Sequence, residues 1–427
     1  MSIDELHGKY LEVLKKIKLV EFENTNISEL LFNQAYYTIT RKQMYKVLTI
    51  ILSLFFKRGV LCYEKKSDIL LFSQVYKRRD YLEYWNKIVS VFPTASKMDF
   101  YDLSRDNWFC CIELHLIVQK CINLLRYVKK LSEIENTLNR FYLASQLVWM
   151  YGIVKNLKRI NVDEKVAMCF FDGNVFESAA IVEFRKKNIV TITNQHGYPV
   201  FENKERDRIS QGQILNMKSD IFIAKGEFIK EQFSNAGRHD IYVKVIGGFC
   251  EKKSVNVLES NTFGVFLDCP TYSFAYEKNI ELINISHEIS KKWGLKCFIK
   301  LHPQDNIQKY RRIIKKDDII LDGKYSLEKI CSDIDFAIVN HSAVYVDLVF
   351  LGIKSYRYFD GNIYPLIVSE DDLFNDLDDF NIKYMAWKEK TLSEKNEYIS
   401  KIQKKYCNTE DVEVSMLNFL NEILDSK

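Results

Sequence analysis

The sequence predicts an α/β protein built from two doubly wound, Rossmann-like parallel sheets, with a helix-rich region at the N-terminus. Three observations carry that expectation. Glycine is scarce before residue 152 and frequent after it, which separates a largely helical first third from a remainder that alternates strands with tight turns. After residue 165, short apolar runs alternate with amphipathic stretches in the order strand, helix, strand, the grammar of βαβ units. The chain has 427 residues, 47% of them hydrophobic and 28% charged. That is an ordinary globular composition on a length that exceeds one hydrophobic core, so two large domains are expected.

The elements follow in chain order. The opening MSIDELHGKYLEVLKKIKLVEF is charged and helical in period, so no cleavable signal peptide is expected there. The apolar run LTIILSLFF at 48–56 is far shorter than a membrane span and is expected as a buried helix. Lys57 and Arg58 beside it leave a peripheral membrane contact open. Between 112 and 160, apolar residues recur at three- and four-residue intervals, which predicts one or two long amphipathic helices. VAMCFF (166–171), IVTIT (189–193), IFIAK (221–225) and YVKVIGG (242–248) then read as strands, with helices VFESAAIVEFRKKN and EFIKEQFSNAG among them.

The polar stretch at 251–262 places a boundary between domains 1–250 and 251–427. Beyond it the same grammar returns: FGVFLDCP, a helix from 278 to 293, KCFIKLHP, a helix to 315, DIILD, a helix from 326, FAIVNH, a helix to Leu351, and IKSYRYF. From Lys388 onward the pattern is helical.

Composition also excludes function classes. A net charge of +4 on this length gives no reason to expect a nucleic-acid partner. The ten cysteines form no CxxC pair and read as reduced thiols of a cytoplasmic protein. A P-loop and a strand-linked GxGxxG are both missing, which argues against ATPases and NAD enzymes. His and Cys do not cluster at zinc spacing, and the DID triplet at 333–335 only opens an apolar strand. No metal and no bound cofactor are therefore expected.

Ligands of open parallel sheets bind beyond the carboxyl ends of the strands. Five such ends are rich in polar residues: FFDGN (170–174), TNQHGYP (193–199), LDCPTYS (267–273), IKLHPQD (299–305) and VNHSAVYVD (339–347). They hold three of the seven histidines and three of the five prolines, a concentration that points to a site.

His196 precedes Gly197, which allows close backbone approach, and Pro199, which stiffens the loop. A neutral imidazole there suits a general base taking a proton from a hydroxyl; the alternative is a satisfied structural histidine. Asp172 is the competing base, or a turn former before Gly173. His302 either terminates its strand with Pro303 or faces a phosphate oxygen and stabilises a leaving group. Ser342 follows Asn340 and His341 at a helix start, where its hydroxyl caps the helix and free N–H groups suit a phosphate. Asp347 lies in the first or second turn of that helix.

The ordered set QHGYP, CPTY, KLHP and NHSAVYVD, across residues 165–360, resembles the GT-B glycosyltransferases that build bacterial surface polymers. It is similar in particular to the CDP-glycerol glycerophosphotransferases of teichoic acid synthesis. The resemblance implies two Rossmann-like domains facing a cleft, with the C-terminal one holding a nucleotide-activated donor as substrate. It implies His196 as base and His302 at the donor phosphate, with Thr271, Ser342 and Asp347 on the donor side. Tyr272 and Ser273 stand where that family has Trp-Arg, Ala343 replaces a second serine and Gln195 a tryptophan. These departures point from CDP-glycerol toward a nucleotide sugar and a capsule or cell-wall acceptor, oligosaccharide or lipid-linked. FFDGN, KLHP and NHS also resemble GT-B sialyltransferases using CMP-sugars, which implies Asp172 as base and His196 as its support. A sugar-nucleotide epimerase or hydrolase, and a non-catalytic assembly subunit, stay open as alternatives.

Overall fold

The computed structural model describes residues 3–18, 20–56, 60–74, 79–100, 114–198, 212, 214–249, 253–255, 260–268, 275–302, 305–321, 325–340, 342–359 and 369–426. The chain divides into two compact units. The first comprises Ser2–Lys225, Ile229–Phe249 and Glu410–Lys427; the second comprises Gly226–Phe228 and Cys250–Thr409.

The first unit opens with helix α1 (Ile3–Ile17), a small hairpin of β1 (Glu21–Phe22) and β2 (Thr25–Asn26), and helices α2 (Ile27–Leu30), α3 (Phe32–Thr40) and α4 (Gln43–Phe55). Strands β3 (Val60–Glu64), β4 (Ile69–Phe72) and β5 (Ser96–Phe100) follow, with α5 (Arg79–Val91) between the last two. Helices α6 (Ile117–Lys130) and α7 (Thr137–Arg159) lead into β6 (Val166–Cys169), α8 (Val175–Lys186), β7 (Val190–Asn194), β8 (Ile221–Ala224), α9 (Glu227–Asn235) and β9 (Tyr242–Val245).

The seven strands lie in the order β3-β5-β4-β6-β7-β8-β9, parallel except for β3 on β5. Strands β6 and β8 are buried at every position, as expected where helices cover both faces of a parallel sheet.

The first third is largely helical, as expected, but not wholly so: it also contributes three strands to the seven-stranded sheet, and the strand order turns at β4, third of the seven. Its core ILLF is only four residues long and follows the charged stretch EKKSD, so its burial is decided by β5 and β6 on either side. The expectation that the 48–56 run is buried fails. The residues of α4 that face inward are polar, Lys46, Thr49 and Ser53, while its apolar stripe is exposed.

The second unit carries β10 (Thr262–Phe266), α10 (Ala275–Trp293), β11 (Lys296–Lys300), β12 (Ile319–Leu321), α11 (Leu327–Cys331), β13 (Phe336–Val339), α12 (Val344–Phe350), β14 (Lys354–Tyr358) and β15 (Leu373–Phe374). Helices α13 (Leu377–Glu389) and α14 (Leu392–Tyr406) follow. The last helix, α15 (Val412–Asp425), groups with the first unit.

The second sheet is wholly parallel, in the order β12-β11-β10-β13-β14-β15. This is the doubly wound order with its switch point between β10 and β13. Its core is formed by Phe263, Val265, Ile299 and Ile338 with Leu282 and Ile283 of α10.

The crossover helix expected before residue 315 is a single 3-10 turn, Ile307–Lys309, among the described residues. The Asn306 side chain accepts from Gln308 N at 2.9 Å, an Asx turn that competes with helix formation. Tyr310 then turns into the core.

Candidate functional site

Each sheet brings its functional candidates to one edge, because parallel strands end on the same side. In the first unit the switch point lies between β4 and β6. There Gln74 Oε1, just past β4, accepts from Phe176 N at 3.2 Å and so ties the start of α8 to the end of that strand.

Asp172 follows β6 and is only 1% exposed. Its Oδ2 accepts hydrogen bonds from Lys218 N (2.8 Å), Ser219 N (2.9 Å) and Ser219 Oγ (2.9 Å). This carboxylate is committed to fastening the turn that leads into β8.

His196 stands at the end of β7, partly exposed. Its ring lies over Phe171 at 4.0 Å between centroids and meets the edge of Tyr81 at 5.6 Å. Tyr81 is in the first turn of α5, which leaves the sheet from the same edge, so local chain direction places it there. The loop is held by Gln195, whose buried side chain accepts from Lys225 N at 2.7 Å and donates to Gly197 O at 2.8 Å. Gln195 thus links the ends of β7 and β8 and fixes the backbone on both sides of His196. Lys225 itself lies 4.4 Å from the centre of the Tyr84 ring, a cation–π contact.

A Cβ added at Gly197 would meet no atom within 4 Å, so the fold of the chain does not require glycine there. Pro199 lies outside the described residues.

Glu177 went unnoticed in the sequence, although Asn174 three residues earlier has the spacing of a helix cap and its third residue. It is buried in the first turn of α8 and accepts from Asn174 Nδ2 and from Phe171 N. Burial pushes its carboxyl up to about 8, against the hydrogen bonds that favour the charged form. The unfolded chain releases that proton near the ordinary value of 4.5. Between these values the folded state holds a proton that the unfolded state has lost, so stability falls as pH rises through this window.

The expected slope is about 1.4 kcal/mol per pH unit at its steepest. Urea unfolding of the native protein and of Glu177→Gln across this range should show the slope in the former and its loss in the latter. An identical slope in both would assign the titration elsewhere.

In the second unit the switch point gathers Asp268 after β10, Asn340 after β13 and Arg357 within β14, all buried. Asp268 is tied to α10: its N–H donates to Asn279 Oδ1 at 2.8 Å and its carbonyl accepts from Asn279 Nδ2 at 3.2 Å. The Arg357 guanidinium donates through Nε to the Asn340 carbonyl. Burial lowers its pKa to about 10, and the Asp268 charge opposes that shift. The side-chain amide of Asn340 is fully buried, and among the described residues neither its oxygen nor its nitrogen has a hydrogen-bond partner, a costly arrangement in a protein interior.

Ser342 is half-buried, and its Oγ accepts from Val344 N at 3.3 Å. Ala343 occupies the cap position of α12 itself. Asp347 is exposed on the first turn of that helix. His302, partly exposed, ends β11 next to β10, and its carbonyl accepts from Asp305 N at 2.8 Å. Thr271 and Pro303 lie outside the described residues.

The structure therefore groups Asn340 and Ser342 at one switch point, and Asp172 and His196 on adjacent strand ends of the other sheet. Asp268 and Arg357 were missed because their convergence depends on strand order rather than on sequence spacing. Among the described residues no three His, Cys, Asp or Glu side chains gather in a way that could hold a metal ion.

No protein-family model matches the chain, and no curated protein matches it in sequence. Solved structures match it in fold. S. aureus MnaA, in a co-structure with UDP, aligns with a TM-score of 0.52 and 8% identity over 84% of this chain and 97% of that one. The α,α-trehalose 6-phosphate synthase of Burkholderia multivorans aligns at 0.48 with 10% identity, over 85% and 99% of the two chains. A chain of the GtfA/B complex aligns at 0.43 with 15% identity; 66% of this chain covers only 61% of its length. The last two scores are too low to argue from. The likeness to MnaA and the strand orders give this chain a GT-B glycosyltransferase-like fold with two Rossmann-like units, the class implied by the sequence motifs.

Proposed function

We propose that the chain is a glycosyltransferase. It would move a sugar or sugar-like group from a nucleotide-activated donor to a hydroxyl of a polysaccharide or lipid-linked acceptor, in synthesis of a bacterial surface polymer. The observation that carries the proposal is His196: an imidazole presented at a strand end against Phe171 and Tyr81, with its loop locked by Gln195. Flat aromatic faces beside a general base suit a ring-shaped acceptor whose hydroxyl must be deprotonated.

In the proposed reaction the acceptor hydroxyl passes its proton to His196, and its oxygen bonds to the anomeric carbon. The bond from that carbon to the donor phosphate oxygen breaks, and the nucleotide departs with the electron pair. His302 faces the leaving phosphate, and the switch point at Asn340, with Ser342, receives the donor. Thr271, Pro303 and Asp347 complete the donor side, and Gly197 gives the acceptor room. Asp172, already committed to three donors and shielded from solvent, is the less suited candidate for that role. The fold relative MnaA was solved with UDP, which supports a uridine nucleotide ahead of CMP or CDP. No metal ion and no cofactor take part in the proposed step.

The test is mass spectrometry of the protein with UDP-, CDP- and CMP-activated donors, with and without an oligosaccharide or lipid-linked acceptor, in the presence of EDTA. Free nucleotide and a lengthened acceptor are expected only when both substrates are present. A donor whose sugar is changed or freed without an acceptor would replace transfer by epimerase or hydrolase chemistry. Neither turnover nor binding of any donor would leave the assembly-subunit reading.

A further inference from the structure

The helices α4 and α6 pack against each other and both lie on α7, so their outward faces lie on the same side of the first unit. Both of those faces are apolar. On α4 the exposed residues Met44, Leu48, Ile51 and Phe55 recur at helical spacing, with Met44 81% and Leu48 52% exposed. On α6 the same holds for Val118 (73%), Ile122 (61%) and Leu125.

The inward face of α4 is correspondingly polar. Lys46 Nζ donates to Asn139 Oδ1 of α7 at 2.7 Å and to the carbonyl of Thr38. The helix is thus pinned in this orientation by buried polar contacts, and its apolar stripe cannot turn inward without breaking them.

Charge decides what such a face fits. No Asp or Glu occurs from residue 30 to 63 or from 114 to 132. Over the described parts of these segments the exposed charges are cationic: Arg41 and Lys42 at the start of α4, and Arg126, Lys129 and Lys130 toward the end of α6. Lys57 and Arg58 lie outside the described residues. Among the described residues no helix is long and apolar enough to cross a membrane.

We infer that the α4–α6 face lies in the plane of an anionic lipid surface, with apolar side chains in the interface and a cationic rim on the headgroups. A second copy of the chain would set one cationic rim against another, which disfavours self-association through this face. The inference is independent of the transfer reaction proposed above.

The experiment is co-sedimentation of the purified protein with phosphatidylcholine vesicles, with and without phosphatidylglycerol, at low and high salt. Light scattering is run alongside it. Binding is expected only with phosphatidylglycerol and should weaken with salt. The double variant Leu48→Ser/Ile122→Ser changes exposed positions, so its melting temperature should be preserved while vesicle binding falls by roughly tenfold or more. Arg126→Gln/Lys129→Gln should weaken binding without abolishing insertion of the apolar stripe. No binding to phosphatidylglycerol vesicles, or equal binding by the Leu48→Ser/Ile122→Ser variant, would overturn the inference. So would a solution dimer that this variant dissociates.

Discussion

His196→Ala is expected to lower group transfer by roughly 10²–10⁴-fold, the usual contribution of a positioned general base. The folded protein should survive the change. The ring is partly exposed and packs on Phe170, Phe171 and Tyr81, so the lost ring contacts cost about 1–2 kcal/mol. Steady-state kinetics would show the loss in kcat, while donor affinity measured by calorimetry stays near the native value, because the histidine acts on the acceptor. Transfer within threefold of native would remove His196 from the mechanism. A loss of donor binding instead would mean that the loop held by Gln195 serves the nucleotide and not the acceptor.

Asn340→Leu should separate stability from binding in the opposite sense. A buried amide that finds no hydrogen-bond partner among the described residues destabilises its own fold, by about 1–3 kcal/mol for each unmet polar group. An apolar side chain of similar volume removes that cost, so the variant should unfold at an equal or higher urea concentration than the native protein. If the amide is retained for a nucleotide, the same variant should lose the ligand-induced rise in melting temperature that mass action gives the native protein. A less stable variant that still binds nucleotide would identify Asn340 as a structural residue. A more stable one that still binds would leave its burial without a functional reason.

The strand-end histidines were legible because apolar runs stop at definite residues, and a polar group after each stop must lie at the sheet edge. What the sequence could not show is which of those groups is already spoken for. Asp172 and His196 both follow apolar strands, yet the backbone of Lys218 and Ser219, more than forty residues away, takes up the carboxylate of the first, while the ring of the second packs on Phe171 and Tyr81. Glu177 looks like an ordinary first-turn carboxylate; only its complete burial in the folded chain raises its pKa to about 8. The segment 48–56 was the converse failure. Its hydrophobicity suggested burial, but the polar anchors Lys46, Thr49 and Ser53 occupy the inward face.

By itself the sequence determined the α/β class, the alternation of strands and helices after residue 165, and the positions of the loops that end the strands. These follow from side-chain periodicity and turn chemistry, which act over a few residues. Tertiary structure alone decided that β4 lies inside the first sheet between β5 and β6, that Asp268, Asn340 and Arg357 meet at one switch point, and that α4 turns its apolar stripe outward. Each of these depends on which distant segments become neighbours, and hydrogen bonds and desolvation take their values only after those neighbours are fixed.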